Sequence, residues 1–439
     1  MIIETKALLG ILCVITALFL MLQTDRYKSW PIPTFNKVVL SVFFVIRIGL
    51  YVAIFHLLGF QPRSDVVVYY QEARQVLAGK LPLVEIQTAY GPLFDCICAL
   101  IVAGWNSSKA IVLFSTIVEL AAFPMWLSVG RVAAFEEITI RRAAILYVFN
   151  PVAICSVVID GQNQIWLSLL LALSLLAISS RHRVLSGIYL GLSVVAVKFL
   201  SLLFAPILFL LARKSAKWLV PFFLIPIIGY GAVWMLGGHP LNQVLAQAND
   251  HSSGNLPYLL TAAGISVTSA GQSLVFSIMI FSILCGFVLY CWLSFDLSDM
   301  RQAIIICGML LLIVMIMSKK AYDDYLVIAL FPICLSIAAH RRLLPAALLS
   351  GTSALASIEP SMWFRWLHEG QLNLVFAQQL PVGITRGHVC LLFACDLFLV
   401  AGYLGLFALS FSTLRDDIRH DIEEAVEAIP GEEGGHSEC

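Results

Sequence analysis

Long, almost uncharged apolar runs recur along this chain, at residues 7–22, 38–60, 110–130, 143–159, 165–179, 184–212, 218–236, 272–295, 302–317, 326–339, 343–358 and 389–411. A helix needs about 20 such residues to cross a hydrocarbon layer roughly 30 Å thick, and inside that layer every backbone polar group must be bonded within its own helix. Charge agrees with this reading, since 12% of residues are charged where a soluble domain carries roughly 25%. The chain reads as an all-α, polytopic membrane protein.

Its 27 basic and 27 acidic residues cancel, but unevenly. Residues 412–439 hold nine of the acids and two of the bases, without an apolar pattern and with Pro430, Gly431, Gly434 and Gly435 near the end. This division gives a membrane domain over 1–411 and an acidic, disordered cytoplasmic tail over 412–439. The eleven cysteines mostly stand inside apolar runs, where Cys behaves as a small hydrophobe, and no function is assigned to them.

Basic residues set the orientation. Sixteen Lys and Arg fall in 23–37, 131–142, 180–183, 213–217, 296–301, 340–342 and the tail, whereas the other connections hold nine. The positive-inside rule puts the first set in the cytoplasm and leaves 61–109, 160–164, 237–271, 318–325 and 359–388 on the outer side. Run 184–212 is basic at both flanks, so it should enter and leave on one face as a helical hairpin with Lys198 at its turn. Segment 93–105 is too short to cross and should lie on the outer surface, which makes 61–109 one long outer loop.

The polar residues left on the outer side form a short set. Asp65 opens an amphipathic helix with Val66, Tyr69, Tyr70, Ala73 and Leu77 on one face, Gln71, Glu72, Arg74 and Gln75 on another, and Ser64 as N-cap. A helix N-terminus favours an ionised carboxylate, able to accept a proton; read blandly, Asp65 is only a first-turn acid. Asp160-Gly-Gln-Asn-Gln164 breaks two apolar runs. Its carboxylate and amides suit sugar hydroxyls, although a tight turn alone would use Gly161 and Asp160. Lys198 stands alone in an apolar run, at a cost of about 2.5–3.5 kcal/mol, so it needs a partner, water, a phosphate to bind, or room to snorkel. The Asn249–Asn255 loop has no Lys or Arg, and His251 is its candidate phosphate ligand. Lys319 and Tyr322, beside Asp323 and Asp324, can pair locally or position a headgroup. Arg47, inside the second run, is expected to pair with an acid such as Glu119. No P-loop, GxGxxG, HExxH, nucleophile-elbow or metal-spaced cluster appears, so nucleotide-driven chemistry is not expected and no residue is assigned to a metal.

The order of Asp65, Tyr69, Gly79, Tyr90-Gly91-Pro92, Asn150-Pro151, Gly161-Gln162-Asn163 and Gly191…Lys198 before Pro206 resembles the GT-C superfamily of integral-membrane glycosyltransferases. It is most similar to the polyprenyl-phosphate-mannose-dependent enzymes of glycosyltransferase family 87, over about 38–212. The resemblance implies about 11–13 transmembrane helices, with surface helices of the first outer loop lying over the active site. It implies an inverting transfer of a sugar, most simply mannose, from a polyprenyl-phosphate donor to a lipid- or glycan-linked acceptor hydroxyl on the outer or lumenal face. Asp65 would be the general base, Lys198 would lie near the donor phosphate, and Asp160, Gln162 and Asn163, with Tyr69 and Tyr90, would line the sugar or acceptor pocket. Two positions depart from the pattern. Tyr90-Gly91-Pro92 replaces Tyr-Pro-Pro, which should loosen the loop, and Gln164 stands where an Asp often follows Gly-Gln-Asn. The membrane would be the inner or plasma membrane of a bacterium or the endoplasmic reticulum of a eukaryote, with membrane lipid and no nucleic acid as partner. An O-antigen ligase or polymerase type, using Arg365, His368 and Arg386, and a lipid or solute transporter remain the competing readings.

Overall fold

The computed structural model describes residues 2–241, 251–265, 270–366 and 384–427, and among them there is no β-strand. The chain is a multi-pass, all-α membrane protein. Among the described residues seven helices are long and apolar enough to cross a membrane: Ile3–Leu22, Ile32–Leu57, Ser108–Val132, Ala216–Met235, Leu274–Ser294, Met300–Met317 and Arg386–Asp416. An eighth crossing is the pair Glu137–Val148 and Pro151–Ile159, bent by 46°. The bend follows from Asn150-Pro151: Pro lacks the N–H that would continue the ladder, and the Asn150 side chain caps the next turn by accepting from Val152 N (3.0 Å). Other apolar runs fold as shorter helices, Gln164–Ser179 and Arg183–Ala196 among them. Met300–Met317 is the central helix, 89% buried, whereas the equally apolar Leu274–Ser294 is 6% buried and faces outward.

Run 184–212 is the expected hairpin. Helix Arg183–Ala196 ends at Val197-Lys198, and a 3-10 turn, Phe199–Phe204, leads back through Ala205–Leu211. The first arm packs on Ala216–Met235 through Gly187 and Gly191, where added methyls would come within 2.2 Å of Trp218 O and 2.8 Å of Phe222 O. Small residues four apart let two membrane helices approach backbone to backbone.

The connections assigned to one face do meet. The Arg141 guanidinium donates to the carbonyls of Tyr27, Lys28 and Trp30, Arg131 donates to Asn36 (2.8 Å), and Arg341 pairs with Glu136. Arg47 pairs with Glu119 as expected, through Nε and Nη2 at 2.9 and 3.0 Å, and also donates to Val148 O. Both partners are fully buried. Losing one would strand the other's charge, at about 3–5 kcal/mol.

Three boundaries differ from expectation. The helix after 343 runs on to Trp366 and takes Glu359, an expected loop residue, into the interior. The last helix continues through 412 to Glu427, because Arg, Glu and Ala there favour helix over a disordered tail; residues 428–439 lie outside the described residues. In Val66–Leu77 the buried set is Val66, Tyr69, Glu72 and Ala73, while Leu77 is exposed. The helix Phe94–Gly104 packs against its flank and covers Glu72, so amphipathicity alone misassigns that face.

Candidate functional site

Five segments converge at one end of the bundle: the start of Val66–Leu77, the Tyr90 loop, the break at 160–164, the hairpin turn at Val197-Lys198, and the 3-10 segment Asp323–Ala329. Asp65 occupies the N-cap position of its helix but caps nothing, and its carboxylate is exposed. Ser64 is not the cap either; its backbone is left-handed and its hydroxyl accepts from Gln162 Nε2 (3.1 Å). The same amide donates to Asp65 Oδ2 at 3.4 Å. Gln162 Oε1 accepts from the Tyr69 hydroxyl (3.1 Å), which in turn accepts from the Tyr90 hydroxyl (3.2 Å). The polarity of this relay fixes which end of the Gln162 amide faces the carboxylate. The Tyr90 ring, packed edge-on against Tyr69, lies 4.9 Å under Lys198 Nζ, and Tyr325 lies 5.3 Å from the same ammonium.

The Tyr90-Gly91-Pro92 segment is tight rather than loose. Gly91 N donates to Val197 O (2.9 Å) and Leu93 N to Val195 O (3.1 Å), which docks the loop on the broken end of the hairpin. A methyl at position 91 would come within 2.1 Å of Val195 O. Glycine is therefore required for the loop to hold Tyr90 beside Lys198. Gly161 has a comparable part at the break, where φ is +66° and Val112 leaves no space for a side chain.

Lys198 is buried, and among the described residues its ammonium meets aromatic faces but no hydrogen-bond acceptor or ion pair. The charges of Asp324 and Asp65 act on it from nearby. Asp324 is half-buried, with an Oδ1 that has no hydrogen-bond partner. Burial pushes its carboxyl up to about 7 against the lowering charge of Lys198, and Asp65 and Asp160 add to the rise. The site thus combines an open carboxylate, a second carboxyl that titrates near neutrality, and a buried cation without a bonded anion.

Other expected residues are placed differently. Asp160 forms an ion pair with Lys6 at 2.8 Å. Its carboxylate is thereby committed to the first helix, which leaves the polar break contributing chiefly through Gln162. Asn163 and Gln164 are buried with unbonded amides. His251 and Lys319 lie close in the backbone, since Ser252 N donates to Lys319 O (2.9 Å). The Lys320 ammonium sits 5.8 Å over the Tyr322 ring, which itself lies beside Tyr325. Asn249, Asp250 and His368 lie outside the described residues, as does the Arg365 side chain.

Buried acids also gather away from the expected site residues. Glu72 and Asp95, both buried, face each other in the outer loop, with the Thr88 hydroxyl donating to Glu72 (3.3 Å). Burial raises both carboxyls, and the charge of Asp95 raises Glu72 further, so the pair retains a proton above the ordinary carboxylate range. A third group joins Asp323, Glu359 and Asp396, all buried. Tyr403 OH donates to Asp323 (3.1 Å), and Gly254 N donates to Asp396 (2.9 Å). Asp396 stands out in the sequence as an acid inside the apolar run 389–411. Among the described residues no His, Cys, Asp and Glu grouping could hold a metal ion.

No protein-family model matches the chain, and no curated protein matches it.

Proposed function

We propose that this protein is an integral-membrane glycosyltransferase that moves a sugar, mannose in the simplest case, from a polyprenyl-phosphate donor to an acceptor hydroxyl. The observation that supports this reading is the pairing of an exposed, positioned carboxylate, Asp65, with a buried ammonium, Lys198, that has no anion bonded to it.

Phosphate is a good leaving group, so cleavage of its bond to the sugar needs positive charge at the phosphate more than a general acid. The acceptor hydroxyl needs a carboxylate within hydrogen-bond reach. In the proposed step the acceptor oxygen attacks the anomeric carbon, the bond between that carbon and the phosphate oxygen breaks, and the electron pair leaves on polyprenyl phosphate. The acceptor proton passes to Asp65, and the anomeric configuration inverts. Lys198 balances the phosphate charge, and Tyr90 holds the ammonium in place through its ring. Gln162, oriented by Tyr69, holds Asp65; Asp160 supports the break through Lys6 and is not assigned to the sugar. The reaction uses the energy of the lipid-phosphate bond and calls for no nucleotide. The test is transfer from polyprenyl-phosphate mannose in membranes containing the protein or its Asp65→Asn variant, with Asp65→Asn expected to fold and fail.

A further inference from the structure

At the opposite end of the hairpin from Lys198 lies a cavity of about 810 Å³. Arg181 and Arg183 reach it from before the hairpin, and Arg213 and Lys217 from after it, with His182 between. Helix Arg183–Ala196 runs from this cavity to the Lys198 turn, about 21 Å along its axis. We propose that the cavity binds the phosphate headgroup of an anionic phospholipid.

Three observations support the assignment. First, the charge is uncompensated. No carboxylate lines the cavity, and none of its four Arg and Lys side chains forms an ion pair among the described residues. Other bases at this end do find carboxylates: Lys28 pairs with Asp25, Arg131 and Arg141 with Glu137, and Arg341 with Glu136. Asp296 and Asp299, in the neighbouring turn, accept from the backbone N–H groups of Ser298 and Arg301. Lys214, next to Arg213, turns aside onto the Trp292 ring (4.7 Å). Four cations converging without an anion repel one another, and a phosphate between them relieves the repulsion through charge-assisted hydrogen bonds.

Second, the backbone holds two of the bases in left-handed conformations, with φ of +62° at Arg181 and +56° at Arg213. Helix ends of this kind favour glycine, and arginine is a costly choice unless its side chain is wanted there. Third, the rest of the lining is lipid-like. Val184 and Leu185 are exposed and Ile188 half-buried along the outward face of the hairpin, so acyl chains can lie beside a headgroup seated among the bases. By the positive-inside rule this end faces the cytoplasm, where basic pockets between helices meet anionic lipid. The volume also suits a small polar ligand better than an isolated ion.

Binding is measured by native mass spectrometry of the delipidated full-length protein in detergent, titrated with phosphatidylglycerol or phosphatidylcholine, and with inorganic phosphate as competitor. The wild type should retain phosphatidylglycerol in preference to phosphatidylcholine, and millimolar phosphate should not displace it. Arg183→Gln with Lys217→Gln should weaken phosphatidylglycerol binding by about fivefold per base removed, while Lys28→Gln, at an ion-paired exposed base, should leave it unchanged. Equal retention of the two lipids, or an unaltered preference in the double variant, overturns the proposal. Displacement by millimolar inorganic phosphate overturns the lipid as source of the phosphate. Should the double variant aggregate, the wild-type lipid ratio and the phosphate competition still decide.

Discussion

Asp323 and Asp324 are neighbours in sequence and belong to different surroundings. Asp324 faces the charges of Lys198 and Asp65, near an open carboxylate and a cation that lacks a bonded anion. Asp323 turns the other way, accepting from Tyr403 and lying near Glu359, with Asp396 held by Gly254 N. One group is open and mixed in charge; the other is closed and acidic. Acidity alone therefore does not mark a site, whereas a charge imbalance with access does.

The largest separation of the two groups is expected from Asp65→Asn. Loss of a general base costs about 10²–10⁴ in rate, so transfer should fall by that much while the protein still extracts and migrates as a folded species. Lys198→Met follows, with a loss of about 10²–10³ in kcat/KM for the lipid-phosphate donor, partly recovered by Lys198→Arg. Glu359→Gln in the closed group should act in the opposite way, leaving kcat/KM within a small factor while shifting stability by about 1–3 kcal/mol through its buried bonds. Thermal unfolding and transfer assays on the same preparations give both readouts.

Two pH effects sharpen the contrast. Below about 7 the Asp324 carboxyl is protonated and leaves the Lys198 charge for the donor phosphate; above it, the carboxylate competes. Donor KM should therefore rise as pH passes through about 7, and Asp324→Asn should flatten the rise. The smallest effect concerns Glu72 and Asp95. Raised carboxyls contribute stability that is complete below the ordinary carboxylate pKa and is lost as pH climbs through the raised values. The Tm should fall by a few degrees between mildly acidic and alkaline pH, and Glu72→Gln should remove that fall.

Much of the fold was legible because membrane helices are written in composition. Runs of Leu, Ile, Val and Phe mark helices, basic flanks mark a face, and two basic flanks on 184–212 disclosed the hairpin. Lys198 stood out for the same reason, as a polar group where an apolar one is expected, whereas Asp65 and Gln162 stood out as polar residues left on the outer side. Close approach was not legible. Gly91 reads as a loosened loop until Val195 O stands 2.1 Å from where its methyl would be. Asp160 suits a sugar until Lys6, on a helix 154 residues away, takes its carboxylate. Glu72 fits a solvated face until Phe94–Gly104 covers it. Each of these depends on which helix arrives at the other side, and a single sequence does not encode that in its local pattern.

The most direct test of the central claim is a paired measurement on purified protein in liposomes, with polyprenyl-phosphate mannose labelled in the sugar. Donor binding and label transfer are followed for the wild type and Asp65→Asn. The account predicts that both bind the donor with similar affinity and that only the wild type moves label from lipid phosphate to an acceptor hydroxyl. Transfer by Asp65→Asn at the wild-type rate would contradict it.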